Sequence, residues 1–440
     1  MSNFELTTIS DNASDPEVTE LEPFFHSSRP EGRVLSTDDG HGGPPPGSAN
    51  TGQVIVNIII SFVGAGLLGM PYAFSKSGWL LGGITLLIVS AANVYAMLCL
   101  PAVQRALMER KDQSLAGNPL GSYGDIGRAI LGPKGEILVH ICLGISQAGF
   151  ATAYIIFIAA NLYSIAKVPR LLVCSACIPG LFLLVQFRDL GSLSPFSLLA
   201  NTANFAALST VLFQDYENYE RHNDTVHPMK WGGLLFVIAV TIYSMEGIGL
   251  ILSLKASCQE PSQFSWLLSV VLAVISILMV IFGVAGYWAF GNNTCAPITL
   301  NLASHWSAAF VKLALCLGLY LTYPIMMFPI WNICEGWNPR FSEHAPTRVT
   351  FRGGLVVISA AVAYSVPNFG KFLSLVGSSI CTLLGFVLPC YFHLNVMGKE
   401  LPWWQIFLDA VLLVGGSLFG IVGTYQSVVA MLEGDLEEEV

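Results

Sequence analysis

Long apolar runs separated by brief polar segments set the pattern of this chain. Runs of roughly 18 or more apolar residues mark helices that span a bilayer. About eleven can be traced, at 53–75, 79–100, 137–163, 171–187, 194–214, 233–254, 265–290, 306–332, 352–366, 372–392 and 405–430. The ninth is short. A leader at residues 1–52, rich in Ser, Asp, Glu, Pro and Gly, lacks the apolar core of a signal peptide and has too little apolar surface to fold alone. Residues 431–440 form an acidic tail.

Two of the runs are interrupted by glycine in the same way. The first reads Ser61-Phe-Val-Gly64-Ala65-Gly66-Leu67-Leu-Gly69-Met-Pro71, and the second Tyr243-Ser244-Met-Glu246-Gly247-Ile-Gly249-Leu250. Each places Gly-x-Gly-Leu in mid-span, where glycine weakens a helix most. Broken apolar segments at matching places in two halves of a chain point to the binding site of a secondary transporter, because unwinding frees N–H and C=O groups to hold a ligand. Helices 1–5 (53–214) and 6–10 (233–392) each begin with a broken helix. Five is an odd number of crossings, so the second half enters from the opposite side. The expected fold is therefore all-α and polytopic, a LeuT-type 5+5 inverted repeat, with helix 11 (405–430) as an accessory.

Composition agrees. Charged residues are 11% of the chain and hydrophobic ones 53%, with mean hydropathy +0.62. A soluble protein carries about 25% charged residues. The net charge of −9 comes mostly from the tails, and no basic cluster suggests nucleic acid. Lys and Arg favour a cytosolic N-terminus, making residues 1–52 a disordered cytosolic tail and grouping Arg105, Arg110, Arg128, Arg340, Arg348, Arg352 and Lys399 inside. The other side receives Lys76, Lys167, Arg170, Lys230, Lys312 and Lys371, together with the sequons at Asn223 and Asn292. The ten cysteines form no disulfide framework; a bridge from Cys295 to Cys174 stays open.

Specific motifs sharpen the reading. Gly64-Ala-Gly-Leu-Leu-Gly-Met-Pro-Tyr-Ala-Phe74 with Gly78-Trp79, Tyr123-Gly-Asp-Ile-Gly127, Ser146-Gln-Ala-Gly-Phe150 with Tyr154-Ile-Ile-Phe-Ile158, Gly247-Ile-Gly249, Tyr287-Trp-Ala-Phe-Gly291 and Leu321-Thr-Tyr-Pro-Ile-Met-Met-Phe-Pro329 occur in that order. Over about residues 50–430 the chain resembles the amino acid/auxin permease family, particularly its vacuolar neutral amino acid transporter and proton-coupled branches. The resemblance implies transport of small neutral amino acids, with protons or sodium as partner ions, and favours a vacuolar or endolysosomal membrane over the plasma membrane. It also implies that amides around Gly64, Ala65, Gly66 and Leu67 bind the substrate carboxylate.

The same residues admit plainer readings. Gly64, Gly66 and Gly69 match a dinucleotide fingerprint in form, but lie inside a membrane helix without the strand or acid that such a site needs. Their glycines could serve close helix packing alone. Glu246 is the carboxylate clearly in mid-span, where a charge costs about 2.5–3.5 kcal/mol and usually serves a function. It could carry a proton, contact the substrate amine, or cap its own broken helix. Around it the expected pocket takes Tyr243, Ser244 and Gly247 from helix 6, Gln147 and Tyr154 with Ser146 from helix 3, and Tyr320, Thr322 and Tyr323 from helix 8. Proton-coupled relatives often carry a histidine where this chain has Asn57, which moves weight onto Glu246. No metal site, cofactor site or hydrolase motif is expected. The competing class is a sensor of the same fold that signals through its N-terminal tail.

Overall fold

The structure is a computed structural model of the 440-residue chain. It describes residues 47, 49–110, 120–187, 210, 226–302, 306–338, 340–366 and 368–438. The expected fifth helix (194–214) and Asn223 fall almost wholly outside the described residues, as does the leader up to residue 46.

The first crossing is α1 (Thr51–Phe62), a 3-10 turn (Ala65–Gly69) and α2 (Met70–Ser77), bent by 44° at the break. Then follow α3 (Trp79–Glu109), α4 (Tyr123–Leu131), α5 (Pro133–Ala166) and α6 (Arg170–Leu184). The second broken crossing is α7 (Leu234–Ser244), a 3-10 turn (Ile248–Leu250) and α8 (Ile251–Ser257). It leads to α9 (Phe264–Phe290), α10 (Trp306–Trp337), the short α11 (Arg340–Glu343) and α12 (Ala345–Ser365). The tenth expected crossing is α13 (Phe369–Val376), two π-helical turns (Gly377–Cys381 and Leu383–Val387) and α14 (Leu388–Met397); α15 (Trp403–Glu438) closes the chain. Among the described residues, seven helices are long and apolar enough to cross a membrane, and the bent first pair makes an eighth.

Several boundaries move. Order begins before residue 52, because Gly47 and Ala49 donate to Ala256 O and Ser257 O at 3.1 and 3.0 Å, and Ala49 pairs with Cys258. Asn50 and Gln53 then cap α1 reciprocally. The ninth crossing starts at Ala345, not 352, and is 21 residues long. The segment 431–438 continues α15 rather than forming a separate tail. Lys312 and Arg352, expected as flanking charges, are 5% and 4% exposed; Arg352 reaches Glu335 at 2.8 Å, while Lys312 Nζ donates to Ser164 Oγ at 3.1 Å. Cys174 and Cys295 are both free thiols.

The two broken crossings run antiparallel, as three contacts show. The start of the first lies on the end of the second through Gly47, Ala49 and Gln259. The end of the first lies on the start of the second, where Lys230 N–H donates to Ser77 O at 2.7 Å. Midway the breaks meet: a Cβ on Gly66 would come within 2.9 Å of Ser244 Cα, and one on Gly247 would enter the Phe62 ring. Around this pair pack α3, α5, α9 and the α13–α14 crossing. By contrast α15 is peripheral, exposing Trp403, Phe407, Ile421 and Tyr425 as a lipid-facing surface needs.

Gly377 shows how tight the packing is, since a Cβ there would strike the carbonyl oxygen of Ala239 on α7. Overpacking of this kind costs about 1–3 kcal/mol. Gly377→Ala is expected to lower the midpoint of thermal unfolding in detergent, whereas Gly144→Ala, which faces open space, should leave it unchanged.

Candidate functional site

A helix start leaves its first N–H groups without intrahelical partners. In the first break, Gly64 is the residue before the 3-10 turn and has no side chain to cap it. Leu67 N–H is taken by Gly64 O at 3.2 Å. The backbone amides of Ala65 and Gly66 have no backbone partner among the described residues, although both residues are buried. Buried amides of that kind require a partner. Gly64 itself is exposed in mid-span, and nothing lies within 4 Å of where its Cβ would stand. The break therefore opens on unfilled space, with amides at the positive end of the α2 half-helix beside it. Pro71 does not break this helix. It sits at the start of α2, where its missing N–H costs nothing.

The second break is built around Glu246. Met245 O accepts from Asn93 Nδ2 of α3 at 2.7 Å, and the Ile248 amide lies close to the Glu246 carboxyl. Glu246 is half-buried. A Cβ at Gly385, in the second π-helical turn, would lie 3.5 Å from Glu246 Oε2 and 3.4 Å from Asn93 Oδ1, so both oxygens converge on one point. Asn93 Oδ1 is buried and has no hydrogen-bond donor. A buried acceptor left in this way calls for a donor from a ligand, a water or a protonated acid. Both π-helical turns lie beside this point, and such turns are frequent at functional sites.

The remaining expected residues divide. Tyr243 is buried against Phe150 of α5, with ring centroids 4.8 Å apart, and Tyr154 stands beside it. Ser146 approaches Cys381 of the π-helical crossing at 3.8 Å, and Gln147 is half-buried without a hydrogen bond among the described residues. These walls surround the breaks. Two hydroxyls are occupied by their own helices: Ser244 Oγ donates to Val240 O at 2.8 Å, and Thr322 Oγ1 to Gly318 O at 3.0 Å. Tyr320 points to α6, donating to Cys177 O at 3.2 Å. Asn292 is exposed, its Oδ1 accepting from Lys230 Nζ at 2.7 Å. Asn93 and Gly385 escaped the sequence reading, because neither carries a charge or a motif and both acquire their place only through contact with Glu246.

Comparison with known proteins decides the family. Residues 47–429 match the family described as transmembrane amino acid transporter protein. The chain belongs to that family. Amino acid transporter ANT1 of Arabidopsis thaliana is 36% identical over 86% of this chain and 92% of its own length. Vacuolar amino acid transporter 4 of Saccharomyces cerevisiae is 28% identical over 87% of this chain, which spans 58% of that longer protein. Among solved structures, Mhp1, a nucleobase-cation-symport-1 family transporter in a closed conformation with bromovinylhydantoin bound, matches 88% of this chain and 93% of its own at a TM-score of 0.50 and 10% identity. That likeness concerns fold alone, and the fold is LeuT-type. This chain is a transmembrane amino acid transporter, not an enzyme.

Gly64 separates fold from ligand. Its φ of −124° suits any residue and its surroundings are open, so Gly64→Ala should fold and express normally. Its methyl would enter the space beside the free amides, and amino acid uptake is expected to fall at least tenfold, measured with labelled substrate in proteoliposomes.

Proposed function

We propose that this chain moves small neutral amino acids by alternating access, driven by protons, with Glu246 as the coupling carboxyl. The observation that carries the reading is the convergence of Glu246 Oε2 and the donorless Asn93 Oδ1 at the junction of two antiparallel broken helices. A protonated Glu246 presents a donor towards the point that Asn93 Oδ1 also borders, and a deprotonated one leaves two acceptors around it. Protonation thus changes the energy of holding α3 against the second break, which links a proton to helix position. In the same reading the amides of Ala65 and Gly66 take the substrate carboxylate, while Tyr243, Tyr154 and Gln147 line the side-chain pocket.

The relatives support the substrate class and the compartment. ANT1 is named an amino acid transporter, and the yeast relative is named vacuolar. A vacuolar or endolysosomal membrane, whose lumen is acidic, provides the gradient such a mechanism uses. With the N-terminus cytosolic, Asn292 lies on the lumenal side, exposed and open to glycosylation.

The test is uptake of labelled alanine, proline and glycine by purified protein in sodium-free liposomes, with and without an imposed pH gradient. Uptake should rise with the gradient, and Glu246→Gln should abolish that rise. Equal uptake with and without the gradient, or an absolute need for sodium, would refute proton coupling. Binding without transport of any amino acid would turn the reading toward a sensor.

A further inference from the structure

A second buried polar cluster lies between α3, α14 and α15, outside the broken helices. Asp409 of α15 has no exposed surface. Tyr95 Oη of α3 donates to its Oδ1 at 2.9 Å, and His393 Nδ1 of α14 lies 2.7 Å from its Oδ2. Cys99 Sγ stands 4.0 Å from Oδ1, and Cys390, one turn before His393, also borders the carboxylate. Cys99 and His393 are 2% and 4% exposed. The other elements packed on α15 bring no charged group to Asp409 among the described residues; Lys371 of α13 is bonded to Ala430 O, far along α15.

Charge counting gives this cluster a definite occupancy. With Asp409 ionised and His393 neutral, it holds an uncompensated negative charge inside the span, which costs several kcal/mol or is neutralised. One added proton, on either partner, brings the total to zero. A second would leave an equally uncompensated positive charge. Neutrality of the enclosed cluster therefore corresponds to one proton held between the two partners.

The cluster is joined to the substrate site. His393 lies eight residues along one crossing from Gly385, the residue that meets Glu246, which is about 12 Å at 1.5 Å per residue. Tyr123 of α4 spans the interval: its hydroxyl donates to Leu384 O at 3.1 Å, and its ring packs edge-on against Phe392, with centroids 6.0 Å apart. A shift of the π-helical crossing at Glu246 thus bears directly on the His393–Asp409 contact.

We propose that His393 and Asp409 form a second proton-binding site, which takes up and releases one proton in each transport cycle. It deepens the proton-driven reading above and rests on it. Donor atoms of Cys99, His393 and Asp409 lie within 4.8 Å of one another, a spacing that a metal ion also uses. The geometry favours the proton, because Nδ1 of His393 and Oδ2 of Asp409 already face each other at hydrogen-bond distance.

The test compares wild type and Asp409→Asn in sodium-free liposomes, following alanine accumulation under a pH gradient and alanine counterflow at equal pH. The amide keeps the shape and the contacts of the carboxylate but cannot take up a proton. Accumulation should fall at least tenfold while counterflow persists, since exchange does not require proton release. His393→Gln, a smaller disturbance, should shift the pH profile of accumulation. Wild-type-like accumulation in Asp409→Asn, or equal loss of both activities in a folded protein, would overturn the site while leaving amino acid transport intact. Stoichiometric zinc in purified wild-type protein would overturn it as well. If Asp409→Asn does not fold, an unaltered pH profile in His393→Gln would count against the proposal. Wild type without gradient-driven uptake would refute proton coupling itself, before any variant is read.

Discussion

In hydrocarbon no water is available to satisfy a free N–H or C=O, so every interruption of a helix must find its partners inside the protein. Among the described residues two crossings are unwound around glycines, and they are set against each other. The break after Phe62 and the break after Ser244 meet through Gly66 and Gly247, each in contact where a side chain would not fit. Asn93 reaches from α3 to take the carbonyl of Met245, and Glu246 stands close to the amide of Ile248. The amides of Ala65 and Gly66 are left over, beside the open space at Gly64. In the proposed reading a ligand carboxylate completes the account, and the candidate binding site is the unfinished part of the hydrogen bonding of two membrane helices.

The same constraint sorts the polar side chains. Ser244 and Thr322 look alike in sequence to any hydroxyl that might hold a substrate, yet each bonds a carbonyl four residues back in its own helix. A hydroxyl in a membrane helix has this local partner always within reach. Tyr320, with a longer arm, bonds the next helix. Asn93, whose amide cannot satisfy both ends locally, is left with an open acceptor at the second break.

The two breaks that frame the candidate site were legible because their signals are local. Gly-x-Gly-Leu in mid-span is contained in a few residues, and Glu246 stands out against an apolar background. The His393–Asp409 pair was not legible. Asp409 is the seventh residue of α15, where it resembles the polar flank of a span, and His393 lies in the last two turns of its crossing, Phe369–Met397. Each alone reads as a boundary residue facing water. Only the packing of α3, α14 and α15 puts them together and removes the water, with Tyr95 more than 300 positions away supplying the third contact.

Hydropathy and glycine spacing along the chain determined that the protein lies in a membrane, that two helices break, and that a carboxylate stands at the second break. These properties follow from neighbours in sequence, since burying a run in lipid and unwinding a turn are decided over one or two helical turns. Which amides stay free, which hydroxyls are already bonded, and which acids lose their contact with water depend on residues brought together from distant helices. The tertiary structure alone decided those, because the cost of a buried polar group is set by what stands opposite it.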